Sequence, residues 1–133
     1  MPIFEHGQAQ GRLFGRFDQL RITHALYPSV EQRLRVAEGI YRVVDVAVFA
    51  GAKPNPVPAA PPLVIAEVLS PDERWSNLME RLEEYASFGV PNIWLVDLER
   101  KALLLYQAGD IVRTEAFRLA GYPLEIRFRD LSE

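Results

Sequence analysis

Asp45 and Glu67 sit where their chemistry fits worst. Asp45 lies within Tyr41-Arg-Val-Val-Asp-Val-Ala-Val-Phe49, and Glu67 within Leu63-Val-Ile-Ala-Glu-Val-Leu69. Both runs are dense in β-branched residues and read as strands buried on both faces. A carboxylate in such a strand costs on the order of several kcal/mol unless it is paired or bound to a metal. Strand alternation places Asp45 on the face of Val43 and Ala47, and Glu67 on the face of Ile65 and Leu69. If the two strands are neighbours, the carboxylates converge. Two convergent carboxylates suit a hard divalent cation such as Mg²⁺. The plainer alternative is that each acid binds an arginine, and 13 of the 15 cations are Arg.

The segment after Glu67 could add a cation and a hydroxyl. Ser70 as N-cap, Pro71 at the first helical position and Glu73 as capping-box partner predict a helix start. Trp75, Leu78, Met79, Leu82 and Ala86 form its apolar stripe, and Gly89 with Pro91 ends it. At ~100° per residue, Arg74, Leu78, Arg81 and Tyr85 share one flank, with Ser76, Glu80 and Glu83 on the other. The first flank can lean over the carboxylates, bringing Arg81 beside a phosphate and Tyr85 one turn further. Alternatively Arg81 pairs with Glu84 or Asp45, and Tyr85 belongs to the edge of the core. Spacing alone favours that simpler pairing.

The remaining pattern supplies a scaffold. A first helix over about Pro2 to Arg21 carries Leu13, Phe14, Phe17 and Leu20 at helical spacing. Gly7, Gly11 and Gly15 form a stripe that suits close approach of another backbone. Beyond Pro28, Leu34 and Val36 alternate with charged residues, and Glu38-Gly39 turns the chain into the Asp45 strand. Gly51 to Pro62, with five prolines, reads as an extended exposed loop. Asn92 to Asp97 forms another strand. Residues 102 to 106 and Ile111 to Phe117 form a hairpin across Ala108-Gly109-Asp110. Leu124, Ile126 and Phe128 alternate in a last strand. The fold class is α/β, a mixed sheet with a few helices.

At 133 residues the chain is expected to form a single domain over 1–133. The absence of cysteine excludes disulfides, thiolate zinc sites and Cys nucleophiles, and a reducing cytoplasm fits. A net charge of −3 argues against coating nucleic acid by bulk charge. No segment approaches the ~18–20 apolar residues of a membrane span. The first residues do not read as a signal peptide. No Gly-rich phosphate loop, nucleophile elbow or HExxH helix is present.

Taken together, Tyr41 to Phe49, Ile65 to Pro71 and Arg81 to Asp97, ending in Gly-Val-Pro-Asn-Ile-Trp-Leu-Val-Asp, resemble the Uma2 family (DUF820). That family is a branch of the PD-(D/E)xK nuclease-like superfamily. The resemblance runs from Glu5-His6-Gly7 to Leu124-Glu-Ile-Arg-Phe128. It implies a restriction-endonuclease-like core, a mixed β-sheet flanked by helices, with Asp45 and Glu67 holding Mg²⁺ or Mn²⁺. The Val68 carbonyl is a possible further ligand. The superfamily lysine two residues after the glutamate is Leu69 here. In Uma2 that lysine is displaced to the following helix, four residues before a tyrosine, where this chain has Arg81 and Tyr85. The expected proline before the aspartate is Val44. An amino-terminal segment of longer members is expected to be shortened or absent. If the first helix leans on the site, Glu5 becomes an extra acidic ligand and His6 a phosphate or water contact. Otherwise they are a solvated pair, the plainer reading near a terminus. His24 is given no role.

The leading expectation is a Mg²⁺-dependent endonuclease hydrolysing DNA phosphodiester bonds. Asp45, Glu67, Arg81 and Tyr85 carry the chemistry, and local arginines such as Arg33, Arg35 and Arg42 contact DNA. Arg81 can stabilise phosphate charge but cannot act as a base at neutral pH. The rival is a catalytically impaired module on the same fold, binding protein or nucleic acid. A homodimer would cover the strand edges between Ala102 and Phe128, with the glycine stripe packed on a second copy.

Overall fold

The computed structural model describes residues 4–132. Helices α1 (Phe4–Asp18) and α2 (Arg21–His24) lead into strands β1 (Leu26–Ala37), β2 (Ile40–Ala50) and β3 (Val64–Leu69). Helix α3 (Trp75–Phe88) follows, then β4 (Asn92–Asp97), β5 (Ala102–Gln107), β6 (Asp110–Thr114), β7 (Ala116–Arg118), β8 (Glu125–Arg127) and α4 (Phe128–Ser132). The main sheet has the order β1-β2-β3-β4-β5-β6. Among the described residues only β3 and β4, joined through α3, run parallel. Strands β7 and β8 form a separate ribbon. The mixed α+β architecture agrees with the sequence reading.

Each sheet face has its own apolar layer. On one side Ala9, Leu13 and Phe17 of α1 meet Val46, Val48, Ala66 and Trp94. Trp94 stacks on Phe117 at 4.5 Å and on Phe17 at 5.7 Å between ring centroids. On the other side Leu78, Leu82 and Tyr85 of α3 meet Ala47, Ile65, Ile93 and Leu95. Each large side chain in these layers stabilises the fold by about 1.5–3 kcal/mol through burial.

Several elements differ from the sequence reading, each for a local reason. The start of the first helix at Pro2 lies outside the described residues. Gly7, Gly11 and Gly15 have open space where a Cβ would point, so among the described residues no backbone packs on them. Strand β1 begins before Pro28, which an edge strand tolerates because its ladder is one-sided. The proline loop covers that edge, the Arg35 N–H donating to Pro58 O at 2.9 Å.

Helix α3 starts at Trp75 rather than at Ser70. Arg74 is its extended N-cap, and no side chain caps it. Ser70 to Glu73 instead closes a tight turn, the Glu73 N–H donating to Ser70 O at 3.1 Å. The buried stripe is Leu78, Leu82 and Tyr85, while Trp75 and Ala86 are exposed. Gly89 ends the helix as expected, with φ +104° and its N–H on Ala86 O.

The outer part of β2 is not buried on both faces, since Tyr41 and Val43 are exposed. The expected run to Phe117 breaks after Thr114, and the last strand stops at Arg127. Phe128 opens α4, whose start is held by Asp130 accepting the Arg127 N–H at 2.7 Å. Among the described residues no helix is long and apolar enough to cross a membrane.

Candidate active site

Strands β2 and β3 pair antiparallel from Val48↔Val64 to Val46↔Ala66. One residue further the main-chain ladder gives way to side chains. The Asp45 N–H donates to Glu67 Oε1 at 2.8 Å, and the Val68 N–H donates to Asp45 Oδ2 at 2.8 Å. Each carboxylate thus takes an amide of the opposite strand, and the two acids are brought together as the strand reading anticipated.

The exchange sits at a twist in the sheet. Opposite Asp45 on β1, Glu31 has a left-handed φ of +49° and drops out of the paired register. Val44 packs in the same layer as Ala47 and Phe49, although simple alternation puts it on the other face. Parity therefore slips at Asp45, and Val43, expected beside it in a buried strand, is exposed. Gln10 of α1 braces the twist, its Nε2 donating to Asp45 O at 3.0 Å and to Glu31 Oε1 at 3.3 Å.

Helix α3 covers Glu67, which is 5 % exposed. The Tyr85 hydroxyl donates to Glu67 Oε2 at 3.1 Å, and Arg81 Nη2 stands 3.5 Å from the same oxygen. Arg81 also forks onto Glu73 at 2.9 and 3.2 Å. Its partners are therefore Glu73 and Glu67, not the Glu84 or Asp45 of the simpler pairing. Glu84 instead binds Arg42 in a fork of 2.6 and 2.8 Å. Glu73, eight residues before Arg81, carried no signal of this role in sequence. The turn that replaces the capping box swings it back.

From the other side, α1 brings His6. Its Nε2 donates to the Val68 carbonyl at 3.0 Å and lies 3.5 Å from Asp45 Oδ2. The solvated-pair reading fails for His6, which is held at the carboxylates. Glu5 is exposed.

The electrostatics follow from burial and like charge. Burial, then the negative charge of Asp45, push the Glu67 carboxyl up to about 7. Burial likewise raises Asp45 above the ordinary range, against the Val68 amide and His6. Burial and Glu67 raise Tyr85, so its hydroxyl stays a donor. Burial works against the charge of Arg81, but Glu73 and Glu67 outweigh it and hold the guanidinium protonated.

Among the described residues, no group of three or more His, Asp or Glu side chains forms a ready-made metal cage. The available donors are oxygens. Asp45 and Glu67 form a repelling pair whose proton affinity is raised, and a divalent cation would relieve that repulsion. Val68, whose carbonyl accepts from His6, lines the same cleft of about 260 Å³, which also reaches Ser70 and Arg81. This donor set fits a hard cation of the Mg²⁺ type.

A family model described as "Putative restriction endonuclease", that of Uma2, matches residues 1–124. The chain belongs to the Uma2 family. Among solved structures, it is similar to one described as "a putative nuclease belonging to DUF820" from Anabaena variabilis ATCC 29413. The two share 18% sequence identity with a TM-score of 0.79, over 98% of this chain and 82% of the other. At that identity the likeness shows the fold, which is nuclease-like. No curated protein matches the chain.

Proposed function

We propose that this Uma2 protein is a metal-dependent endonuclease that hydrolyses DNA phosphodiester bonds. The observation that carries the reading is the reciprocal seating of Asp45 and Glu67 on each other's strands, beneath Arg81 and Tyr85. Asp45, Glu67 and the Val68 carbonyl would hold Mg²⁺ or Mn²⁺. A cation held there would supply Lewis-acid polarisation of the scissile phosphate and a lowered pKa for an attacking water.

The chain's own residues do the rest. The Tyr85 hydroxyl fixes the rotamer of Glu67. Arg81, protonated throughout the physiological range, stabilises charge developing on the phosphate. Leu69 offers no proton acceptor in place of the superfamily lysine. Arg33, over the Tyr41 ring at 5.1 Å, and the exposed Arg35 lie on the outer ribbon for backbone contacts. Arg42 is taken up by Glu84 and is less suited to that task. A single cytoplasmic domain acting as a homodimer completes the reading. The second copy would cover the open edge of β6 and give access to both DNA strands.

Cleavage of supercoiled plasmid in Mg²⁺ or Mn²⁺, together with a metal-dependent rise in melting temperature that Asp45→Ala removes, tests the proposal. Absence of both would sink it. Sedimentation at micromolar concentration tests the dimer.

A second reading is favoured by one observation. The fork from Arg81 to Glu73 occupies the guanidinium that should meet phosphate. A chain that kept this frame and lost catalysis would bind metal and nucleic acid without cutting.

A further inference from the structure

A second cavity, of about 850 Å³, opens beside the carboxylate cleft and shares His6, Ser70 and Glu73 with it. Its walls are chemically different. Leu69, Leu78, Leu104 and Ile111 line it from β3, α3, β5 and β6. Trp75 also lines it, at the first position of α3, with 65 % of the residue exposed. The buried stripe of α3 does not use this indole, so helix packing gives no account of it. The volume lies within the range of about 300–1,000 Å³ usual for small-molecule sites.

The charged groups restrict what can enter. Asp97 is tied to Arg100, its carboxylate accepting the Arg100 N–H at 3.0 Å. Glu5 and Glu99 also line the wall, and Glu73 is held by Arg81. A phosphate would be repelled here, whereas a flat neutral group with amino donors would not. The adjoining cleft has the opposite preference once a cation sits on Asp45 and Glu67. A ligand with an anionic part and a flat heteroaromatic part fits the two together, and that is a nucleotide.

We propose that this cavity takes an unpaired nucleobase next to the phosphate held in the carboxylate cleft, stacked on the Trp75 indole. It rests on the nuclease reading for the phosphate and adds the substrate class. A base inside a duplex is stacked and paired and cannot enter, so the preferred substrate is single-stranded or locally unpaired nucleic acid. Leu69, which replaces the lysine expected on its strand, gives this base an apolar wall.

The two tryptophans make the inference measurable. Trp94 is 2 % exposed and stacked in the core, so ligand-dependent emission changes report Trp75. The full chain, in Ca²⁺ to occupy the oxygen site, is titrated with an oligothymidylate strand and with a blunt duplex of equal length. The strand is expected to quench Trp75 and to bind about tenfold more tightly than the duplex. Trp75→Ala should lose about tenfold in strand affinity, and Trp75→Phe should recover most of it. Equal binding of both ligands by wild type and Trp75→Ala overturns the inference. So does Trp75 emission that follows protein concentration instead of oligonucleotide, which would give the cavity to a second copy. Metal-dependent cleavage with an unquenched Trp75 removes the base site and keeps the nuclease. Quenching without cleavage of any substrate does the reverse.

Discussion

Asp45 and Glu67 are joined through main-chain amides, not directly: the Asp45 N–H bonds Glu67 Oε1 and the Val68 N–H bonds Asp45 Oδ2, both at 2.8 Å. The strands thereby hold two like charges together that would otherwise separate. The arrangement stores electrostatic repulsion at one point of the sheet, and it makes stability there sensitive to protons and cations.

The first consequence is a pH dependence. Glu67 titrates at about 7 in the folded chain, against an ordinary value of 4.5. The folded state therefore binds its proton more tightly than the unfolded state. Stability from this group is full below about pH 4.5 and declines as pH rises to about 7, by on the order of 3 kcal/mol. Thermal melts of metal-free protein between these values should show the decline. Glu67→Gln and saturating Mg²⁺ should each flatten it. A Glu67→Gln profile that falls as steeply as wild type would refute the assignment.

Tyr85 is fully buried and donates to Glu67 Oε2. Tyr85→Phe keeps the packing and strips one bond from a buried carboxylate. The expected loss is about 1–3 kcal/mol in urea unfolding, with an unchanged circular dichroism spectrum. Plasmid cleavage should fall with it. A variant as stable as wild type would place the hydroxyl's contribution elsewhere.

Arg81→Lys separates the charge from the fork. A lysine cannot span both oxygens of Glu73, so about 1 kcal/mol of stability should be lost. Its compact ammonium can approach the phosphate and lose a proton when buried. Cleavage of plasmid in Mn²⁺ is therefore expected to rise above wild type. Unchanged or lower cleavage would argue that the fork itself is functional.

Trp94 tests the scaffold apart from the site. It stacks between Phe17 and Phe117 in the layer beneath α1. Trp94→Ala should cost about 3–5 kcal/mol by leaving a cavity. Loosened α1 should also carry His6 away from Val68. Hydrogen exchange at α1 would report it.

The sequence already contained the site's skeleton. Two acids in β-branched strands separated by one loop suggested either convergence or pairing with arginine, and their spacing into a helix with Tyr85 resembled a family pattern, with Arg81 standing where that pattern has a lysine. Gly89 and the Glu38-Gly39 turn were readable because each turn requires a positive φ. Tertiary structure decided what depended on distance. Ser70-Pro71 looked like a helix start, yet the chain uses that stretch as a turn, which delivers Glu73 to Arg81. His6 looked solvated from its position near a terminus, and α1 packing through Ala9, Leu13 and Phe17 carries it to Val68. Period-two logic held on either side of Asp45 and slipped at it, where Glu31 across the ladder takes a left-handed conformation. Local patterns report which faces are apolar, and here they placed the two acids and most of the strands. Which charge meets which is set by where the packed elements stop, and only the folded chain decides that.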